Sequence, residues 1–427
     1  MLAIAVSAAF LVASTLPAPA VAAGAQTSLT KQQKAKAKAK AKAKAKKIAK
    51  AKRLRKGPSG LAFYNPASRK RQIPGTHGKL IWARGAGGVV PLTSGASTRL
   101  ILYSSRSVTN KKIAVSGSVT VPKGKAPKGG WPVITYGHGT TGIADKCAPS
   151  RNTVGGPATD YIDYTDDILN SWLSAGYAIV RSDYEGLGTP GVHPFLVGKS
   201  SGRGMLDIVR AARDLDPRIS KKFVITGHSQ GGHAALFAAD QAASWTPDLQ
   251  LKGTVAYAPA SQLKEQLPLL AGFTDPSSLT ALASLIVRGV SSVYPQVEAS
   301  ALLSDPVLAL YPDTLTECLA QLSEPGSLAG IAPSELVRDG ADTASLLEVL
   351  GEQNPLAKSS APIVLAQGLA DTTTFPFLTS NLNTALTKIS GNKVTYLTYP
   401  GVDHGTILDA SEAEIDPIIE GWLPGGR

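Results

Sequence analysis

Acidic residues are missing from the first 144 positions of this 427-residue chain, and cysteine is nearly absent, with two in the whole sequence. So few cysteines exclude a small disulfide-stapled scaffold and a cysteine-ligated zinc ribbon. Beyond residue 23 there is also no apolar run of the roughly 20 residues that a membrane-spanning helix needs. Fold classes built on disulfides, on zinc or on several membrane spans are therefore excluded.

The positive charge of the chain is concentrated in one segment. The formal net charge is +13, which at first suggests a nucleic-acid or anionic-membrane binder. However, 14 of the 44 Lys and Arg residues lie between Lys31 and Lys56. From Gly57 to Arg427 there remain 30 basic and 31 acidic residues, a balance of −1. The body is thus near neutral, and we expect no nucleic-acid partner for it.

The body is rich enough in apolar residues to fold. Hydrophobic residues make up 43% and charged residues 18% of the chain, which excludes wholesale disorder. The roughly 370 residues after the basic segment exceed one typical domain or form one large domain with an insertion.

The first 56 residues divide into a leader and a basic tail. Residues 1–23 are typical of a secretion signal, because prolines and the small residues Val21-Ala22-Ala23 follow an apolar run. No Lys or Arg precedes that run, so the translation start is left open. In the tail, residues 24–56, Lys and Ala alternate from Lys34 to Lys46. Such like charges oppose helix formation, so we predict a disordered spacer. The added hypothesis is a tether to anionic cell-wall polymers or lipid head groups at the cell surface.

The body, residues 57–427, alternates strand-like and helical patterns, which predicts an α/β protein with a mostly parallel sheet covered by helices on both faces. The predicted strands are Leu100–Ser105, Ile113–Val121, Val133–Tyr136, Tyr177–Ser182, Phe223–Thr226, Gly253–Tyr257, Ile363–Gln367 and Val394–Tyr399, the first two forming an antiparallel edge hairpin. The predicted helices are Ile168–Ala175, Met205–Leu215, His233–Ala243, Leu378–Ile389 and Glu412–Leu423. Between about residues 261 and 358 the alternation stops, which predicts a helical cap inserted between two strands.

The pentapeptide Gly227-His228-Ser229-Gln230-Gly231 matches the Gly-x-Ser-x-Gly pattern of a nucleophile elbow. Gly and Ser are so common in this chain that the pattern can occur by chance, so the neighbouring segments decide its meaning. A predicted strand precedes the pentapeptide, and an Ala-rich helix follows it. The elbow needs this order, since glycines permit the sharp turn that lifts the serine hydroxyl above the sheet. Ser229 is therefore the predicted nucleophile, beside a helix N-terminus that favours negative charge.

A serine nucleophile needs a base to remove its proton and an acid to orient that base. Among six histidines, His404 follows the last predicted strand and precedes the final helix, where such a base is expected. Asp371 ends a strand and loop, and the order Ser229, Asp371, His404 is that of α/β-hydrolases. Asp403 is the alternative acid, but neighbours in sequence rarely face each other, so we assign it to bracing the loop.

The tetrahedral intermediate of acyl transfer needs two backbone N–H donors. One is predicted to be the amide of Gln230, directly after the nucleophile. The other is predicted in the glycine-rich segment 137–142, where Gly139 and Thr140 are equal candidates. His138 is predicted to support this loop and is the alternative base. The chemistry needs no metal or organic cofactor, and none is predicted.

These segments together resemble the secretory lipase family, the secreted α/β-hydrolases that include the fungal lipase A type. The resemblance covers about residues 63–423. Four blocks carry it: Tyr136–Gly142 with Cys147-Ala148-Pro149-Ser150; Asp183-Tyr184-Glu185-Gly186-Leu187-Gly188 with Pro194-Phe195-Leu196-Val197-Gly198; Gly227–Gly231; and Gly368–Asp371 with His404-Gly405. The first two blocks are the specific ones, because the other two occur across all α/β-hydrolases.

The resemblance implies the same triad and adds two expectations. The inserted segment would be a cap that shapes an acyl-chain tunnel, and Cys147 would form a disulfide with Cys318. Export independently favours that bond, since both cysteines would meet an oxidising compartment. The chain departs from the family pattern in its tail and in having no cysteines for a second disulfide nearer the C-terminus. Asp183 and Glu185 either contact the triad region or fix a glycine-rich turn, and we favour the turn.

The sequence therefore predicts a secreted, monomeric ester hydrolase of the lipase type that acts on ester or lipid substrates through an acyl-enzyme. Acyl transfer to an alcohol or sugar is an alternative that uses the same triad. A third hypothesis is a catalytically silent cell-surface binding module whose basic tail is the working part. An intact set of Ser, Asp and His argues against such silence.

Overall fold

The computed structural model describes residues 56–425, together with residues 32, 35, 36 and 38–43 of the basic tail. The chain divides into two units, residues 1–46 and residues 47–427. The described tail residues are helical, where like-charge repulsion predicts disorder. Ala and Lys are both strong helix formers, and at these positions that propensity outweighs the repulsion. The predicted leader and the rest of the tail lie outside the described residues and stay predictions.

A nine-stranded sheet forms the centre of the body. Its strands are β1 (Leu80–Gly85), β2 (Gly95–Arg106), β3 (Lys112–Pro122), β4 (Trp131–Gly137), β5 (Ala178–Ser182), β6 (Ile219–His228), β7 (Gln250–Tyr257), β8 (Ile363–Gly368) and β9 (Val394–Tyr399). The order across the sheet is β1-β2-β3-β5-β4-β6-β7-β8-β9. Pairing is antiparallel from β1 to β5 and parallel from β5 to β9. The carboxyl ends of the parallel strands therefore meet at one edge, where the conserved geometry of such sheets places ligands.

Helices cover both faces of this sheet. They are α1 (Asp160–Asp163), α2 (Asp166–Ser174), α3 (Gly198–Leu215), α4 (Gln230–Trp245), α5 (Leu263–Leu269), α6 (Ser278–Ser291), α7 (Ala299–Leu302), α8 (Asp305–Leu310), α9 (Leu319–Leu322), α10 (Ala344–Glu352), α11 (Pro376–Lys388) and α12 (Ile407–Trp422). Helices α3, α4 and α11 share one hydrophobic core with the sheet, and α2 and α12 share another. Apolar strands buried on both sides explain the near-continuous runs of Val, Ile and Ala in β4 to β8.

The edge of the sheet differs from the prediction. Strands β2 and β3 form the expected antiparallel hairpin, but β1 pairs outside β2, so the hairpin is not the edge. The sequence signal of β1 is short, because only Leu80 to Ala83 are apolar before Arg84 and Gly85. Its pairing with β2 and its packing against Phe63, and not local propensity, set this strand.

The segment between β7 and β8 is a helical insertion. It contains α5 to α10 and surrounds a hydrophobic core of its own that also includes Phe195 and Val197 from the main domain. The prediction of a cap at about 261–358 corresponds to this segment. Among the described residues, no helix has both the length and the apolar character needed to cross a bilayer.

Candidate active site

Ser229 lies at the turn between β6 and α4, in the backbone conformation of a nucleophile elbow. Its φ is 57° and its ψ is −118°, a positive-φ conformation that a non-glycine residue adopts at an energetic cost. Neighbouring glycines make the turn possible, since a Cβ on Gly227 would collide with the Gly231 carbonyl oxygen. A Cβ on Gly231 would likewise collide with the Gly137 carbonyl oxygen. The serine thus stands at the carboxyl end of β6, as the motif predicts.

Asp371 and His404 meet at the same edge of the sheet. Asp371 follows β8 and His404 follows β9, which is its parallel neighbour. His404 Nδ1 lies 2.7 Å from Asp371 Oδ2. Because an ionised carboxylate only accepts hydrogen bonds, Nδ1 carries the proton and donates a hydrogen bond to Asp371. That tautomer leaves Nε2 of His404 as the atom that can accept a proton.

The loop after β8 holds the Asp371 carboxylate in place. Oδ1 accepts hydrogen bonds from the amides of Thr373 and Thr374, both at 2.8 Å, and Oδ2 accepts one from the Thr374 hydroxyl at 2.7 Å. Burial alone would raise the pKa of Asp371, but the hydrogen bond and charge of His404 and the bonds from Thr374 and Thr373 together lower it. Asp371 is therefore ionised and oriented toward His404.

Ser229 and His404 belong to one site, although no hydrogen bond within 3.5 Å joins them among the described residues. The ring of His228, which precedes Ser229, lies 4.6 Å from the ring of His404. Thr374 Oγ1 lies 3.3 Å from His404 Nδ1, and Thr374 lines the same cavity as Ser229. The hydrogen bond between a nucleophile and its base is often long before substrate binds and tightens in the substrate complex.

Asp403 does not face the imidazole of His404. Its Oδ1 accepts hydrogen bonds from the Gly405 amide at 3.0 Å, the Thr406 amide at 2.9 Å and the Thr406 hydroxyl at 2.7 Å. The bonds from Thr406 lower the pKa of Asp403 and tie the loop to the start of α12. Asp403 thus braces the loop that carries the base.

The candidate oxyanion donors surround the nucleophile from two sides. Gln230 is the first residue of α4, and its N-terminal amide has no intrahelical acceptor. Thr140 lines the cavity together with Ser229 and Gln230. The carbonyl oxygen of Gly139 accepts a 2.7 Å hydrogen bond from His138, and a Cβ at Gly139 would lie 2.8 Å from the Tyr164 hydroxyl oxygen. This arrangement favours Thr140 over Gly139 as the second donor, a choice that the sequence left open.

The other buried histidines are neutral and serve as donors to the backbone. Burial lowers the pKa of His138 and His228 to about 3, and that of His193 and His233 to about 4. Each of the four has a ring nitrogen within hydrogen-bonding distance of a backbone carbonyl oxygen. A carbonyl only accepts, so that nitrogen carries the proton. This set includes His138, which is therefore unsuited to be the base.

Asp183 and Glu185 fix loops and do not contact the triad. The buried carboxylate of Asp183 accepts hydrogen bonds from Ser116 and from the amide and hydroxyl of Ser150. Burial raises its pKa. Glu185 accepts a hydrogen bond from the Ser200 hydroxyl. The two side chains therefore tie the glycine-rich turn 183–188 to Ser116, Ser150 and Ser200, as the hypothesis of a fixed turn predicts.

The disulfide implied by the resemblance is present. Cys147 and Cys318 are bonded across 171 residues of sequence, and both are fully buried. The bond joins a short 3₁₀ helix of the main domain, Asp145–Cys147, to the residue before α9 of the insertion. It holds the insertion to the domain on the side of the oxyanion loop, since Gly142 pairs with Cys318.

An apolar cavity lies against Ser229. Helices α5, α6 and α10 of the insertion supply most of its wall. Its apolar lining residues are Phe195, Leu196, Ala260, Leu263, Leu267, Leu270, Leu279, Leu282, Ala283, Ile286, Val287, Leu346 and Leu350. In the described part of the chain, no group of three or more His, Cys, Asp and Glu residues is placed to hold a metal ion.

Sequence reasoning missed the partners that orient the site. Thr374 lies in a run of three threonines after Asp371, and no sequence motif singles out His193. In the fold, His193 Nε2 lies 2.8 Å from the Gln230 side-chain nitrogen, and His193 Nδ1 donates to the Glu185 carbonyl oxygen at 2.7 Å. No local pattern announces such contacts, because they join residues that are distant in sequence.

Known lipases are similar to this chain in sequence. The family model described as Secretory lipase matches residues 157–311. Lipase A of Moesziomyces aphidis is 27% identical over 230 residues, which cover 52% of this chain and 47% of that protein. The chain spans about half the length of the curated relatives it matches. The resemblance to the secretory lipase family is thereby confirmed.

Solved structures extend the likeness over most of the chain. Candida antarctica lipase A in its closed state superposes with a TM-score of 0.68 at 20% identity, covering 82% of this chain and 84% of that one. The rice cell wall degrading esterase LipA from Xanthomonas oryzae superposes with a TM-score of 0.67 at 19% identity, covering 82% of this chain and 100% of that one. These superpositions confirm the α/β-hydrolase fold.

Proposed function

We propose that this chain is a secreted carboxylic-ester hydrolase of the lipase type, with Ser229 as nucleophile, His404 as base and Asp371 as the orienting acid. One observation carries the proposal. A serine in the strained elbow conformation lines an apolar cavity. It lies at the same edge of the sheet as Asp371 and His404, which are joined by a 2.7 Å hydrogen bond. The match to the secretory lipase model supports the same reaction class.

In the acylation step, Ser229 Oγ attacks the ester carbonyl carbon while His404 Nε2 takes the hydroxyl proton. Asp371 holds the imidazole in the required tautomer and stabilises its positive charge. The backbone amides of Gln230 and Thr140 donate to the oxygen on which negative charge develops. The bond from carbon to the alcohol oxygen then breaks, and the alcohol leaves with the proton from His404.

In the deacylation step, water takes the place of the alcohol. It gives a proton to His404 as it attacks the acyl-enzyme, and the carboxylic acid is released when Ser229 recovers that proton. The reaction needs no other reactant. His228, whose ring lies 4.6 Å from that of His404, stays neutral, so it does not oppose the positive charge that forms on His404.

The cavity favours substrates with a hydrocarbon acyl chain. Its wall is made almost entirely of Leu, Ile, Val, Ala and Phe side chains, and burial of an acyl chain there removes apolar surface from water. Its polar lining residues include Ser229 itself, Gln230, which follows it in the chain, and Thr374, which donates to Asp371. This division supports an ester or lipid substrate whose acid portion enters the insertion.

The same proposal includes secretion, a monomeric state and a tail that holds the enzyme near anionic surfaces. The leader pattern of residues 1–23 and the secretory character of the matched family support export. The Lys-rich tail supports retention by charge.

Initial rates on p-nitrophenyl esters from acetyl to stearoyl test the proposed activity. Free acid should be the main product even when a competing alcohol is present, and rates should rise with acyl length while the chain still fits the cavity. Ser229→Ala should reduce the rates by about 10⁴-fold or more, whereas Ser244→Ala, an exposed serine at the end of α4, should leave them unchanged. Transfer product without free acid would mean that the chain catalyses acyl transfer and not hydrolysis. Equal rates in wild type and Ser229→Ala would remove the assignment.

A further inference from the structure

His228 joins the nucleophile strand to the loop of the base. It is the last residue of β6, directly before Ser229, and its side chain is buried. Its Nε2 lies 2.8 Å from the backbone carbonyl oxygen of His404. On the other side of the ring, its Nδ1 lies 2.6 Å from the hydroxyl of Tyr164. The imidazole thus lies between two fixed groups, and it uses both nitrogens.

The two contacts define one tautomer. The His404 carbonyl can only accept a hydrogen bond, so His228 Nε2 must carry the proton. In the neutral ring Nδ1 is then the acceptor, and the Tyr164 hydroxyl donates to it. Burial raises the pKa of Tyr164, so this hydroxyl keeps its proton. If Nδ1 carried the proton instead, the Nε2 lone pair would face the His404 carbonyl and repel it.

The loop of the base needs such a contact. Residues 401, 403, 405 and 406 around His404 are exposed to solvent, and Asp371 holds only the imidazole end of His404. A side chain held at one atom can still rotate with its backbone. The bond from His228 adds a second fixed point, at the carbonyl of His404 itself.

Tyr164 also lies against the oxyanion loop. A Cβ on Gly139 would lie 2.8 Å from the Tyr164 hydroxyl oxygen and 3.6 Å from His228 Nδ1, so only glycine leaves room for this pair. Tyr164 and His228 therefore lie between the loop that supplies an oxyanion donor and the loop that supplies the base.

We propose that Tyr164 and His228 form a positioning pair that fixes the backbone of His404 relative to Ser229 and Asp371. This role rests on the proposed function, since it serves the triad chemistry. The pair transfers no proton to substrate. The Tyr164 hydroxyl favours the tautomer in which His228 Nε2 donates a hydrogen bond to the His404 carbonyl, and this bond holds the loop of the base.

Substitution of His228 tests the donor directly. His228→Leu removes the N–H and should lower kcat by about 10- to 100-fold with KM within about twofold, because misplacement of a catalytic group costs rate more than binding. His228→Gln, whose side-chain N–H reaches the place of Nε2, should recover most of the loss.

Two outcomes of these variants would overturn the proposal. One is an equal loss in His228→Leu and His228→Gln, because the N–H would then be irrelevant. The other is a kcat in His228→Leu within twofold of wild type. His233→Leu and His233→Gln are the matched controls, since His233 is also buried and donates to a backbone carbonyl, but to that of Gln353 beside the insertion. Both control variants should keep kcat within about twofold of wild type.

A spectroscopic arm reads the pair without activity. In ¹⁵N-histidine-labelled Ser229→Ala protein, the ring shifts should show His228 protonated at Nε2 and unprotonated at Nδ1, unchanged between pH 7 and pH 5. Tyr164→Phe should keep the proton on Nε2, which the His404 carbonyl still requires, but should shift the Nδ1 resonance, because that nitrogen loses its hydrogen bond. A proton on Nδ1 of His228 in the protein that keeps Tyr164 would overturn the proposal. This measurement needs no turnover. If the chain had no esterase activity, the proposed function would be wrong, but the hydrogen bonds of the pair could still be measured.

Discussion

Gly231 leaves no room for a side chain, because a Cβ there would lie 1.9 Å from the carbonyl oxygen of Gly137 and 2.8 Å from that of His138. Gly231→Ala should therefore lower the free energy of unfolding by about 1–3 kcal/mol, the usual cost of inserting atoms into a filled space. Urea denaturation of both proteins measures the change. Gly421→Ala is the matched control, since nothing lies within 4 Å of a Cβ at that position of α12. It should be neutral or stabilise by up to about 1 kcal/mol. Equal stability of the two variants would contradict this account of the elbow.

The nucleophile could be predicted because its requirements are local. The Gly-x-Ser-x-Gly pattern states the glycines, the turn and the helix that Ser229 needs within a few residues. Asp371 and His404 could be predicted from their order and their place after strands. The partners of these residues could not, since Thr374, His193 and Tyr164 reach the site only through tertiary packing. The proposed catalytic residues could thus be predicted from the sequence, whereas the residues that position them could not.

At the scale of elements, the glycines of α3 explain where helix prediction stopped short. The sequence predicts the helix from Met205, whereas α3 begins at Gly198. Gly198 and Gly202 lower helix propensity, but a Cβ at either would collide with Phe237 or approach the backbone of Ala238. Close packing of α3 on α4 therefore overrides propensity. The strand β1 was missed for the corresponding reason, because its pairing with β2 is not visible in its own residues.

The Cys147–Cys318 bond is the covalent link between the main domain and the insertion. Cys147→Ala with Cys318→Ala should lower the free energy of unfolding by about 4–5 kcal/mol, because the bond closes a loop of 171 residues and restricts the unfolded chain. Denaturation of the oxidised wild type and the double variant measures the difference. A loss below about 1 kcal/mol would mean that the unfolded chain is already restricted there.

The buried histidines predict how the stability of the whole molecule depends on pH. Burial lowers the pKa of His138 and His228 to about 3 and of His193 and His233 to about 4, against about 6.5 in an unfolded chain. Below pH 6.5 the unfolded state binds protons that the folded state refuses, so stability present above pH 6.5 is lost as the pH falls toward 4. Each histidine contributes about 1.4 kcal/mol per pH unit in this window.

Carboxyl groups offset part of this loss. Burial raises the pKa of Asp166 to about 6, so its folded state binds a proton first and gains stability as the pH falls. The free energy of unfolding should still fall between pH 6.5 and pH 5. His233→Gln keeps the N–H toward Gln353 and should make that slope shallower by about 1.4 kcal/mol per pH unit. An unchanged slope in this variant would show that His233 is not neutral in the folded state.

The near-neutral body has two ends of opposite charge. Residues 57–144 contain 12 basic and no acidic residues, and they include the strands β1 to β3 at one end of the sheet. At the other end, α12 packs on β7, β8 and β9 and carries five acidic residues and no basic one. The tail joins the body at Lys56, which bridges to Ala83 in β1. The tail is thus attached to the basic end.

Deletion of residues 24–56 should reduce salt-sensitive retention on cell-wall material, because the tail holds 14 of the basic residues. Turnover of soluble esters should stay unchanged, since the catalytic residues lie in the body. Retention at low and high salt, measured beside turnover, separates the two effects. A variant with the tail lysines replaced by glutamine is the control for length. Retention equal to that of the full chain would reduce the tail to a spacer.

The central claim is that Ser229 is a nucleophile activated by His404 and Asp371. Labelling by a fluorophosphonate, followed by peptide mapping, tests it most directly, because only an activated serine attacks the phosphorus. The account predicts one adduct, on Ser229, and slow or absent labelling in His404→Gln. An adduct on another residue, or no adduct in a folded chain, would contradict it.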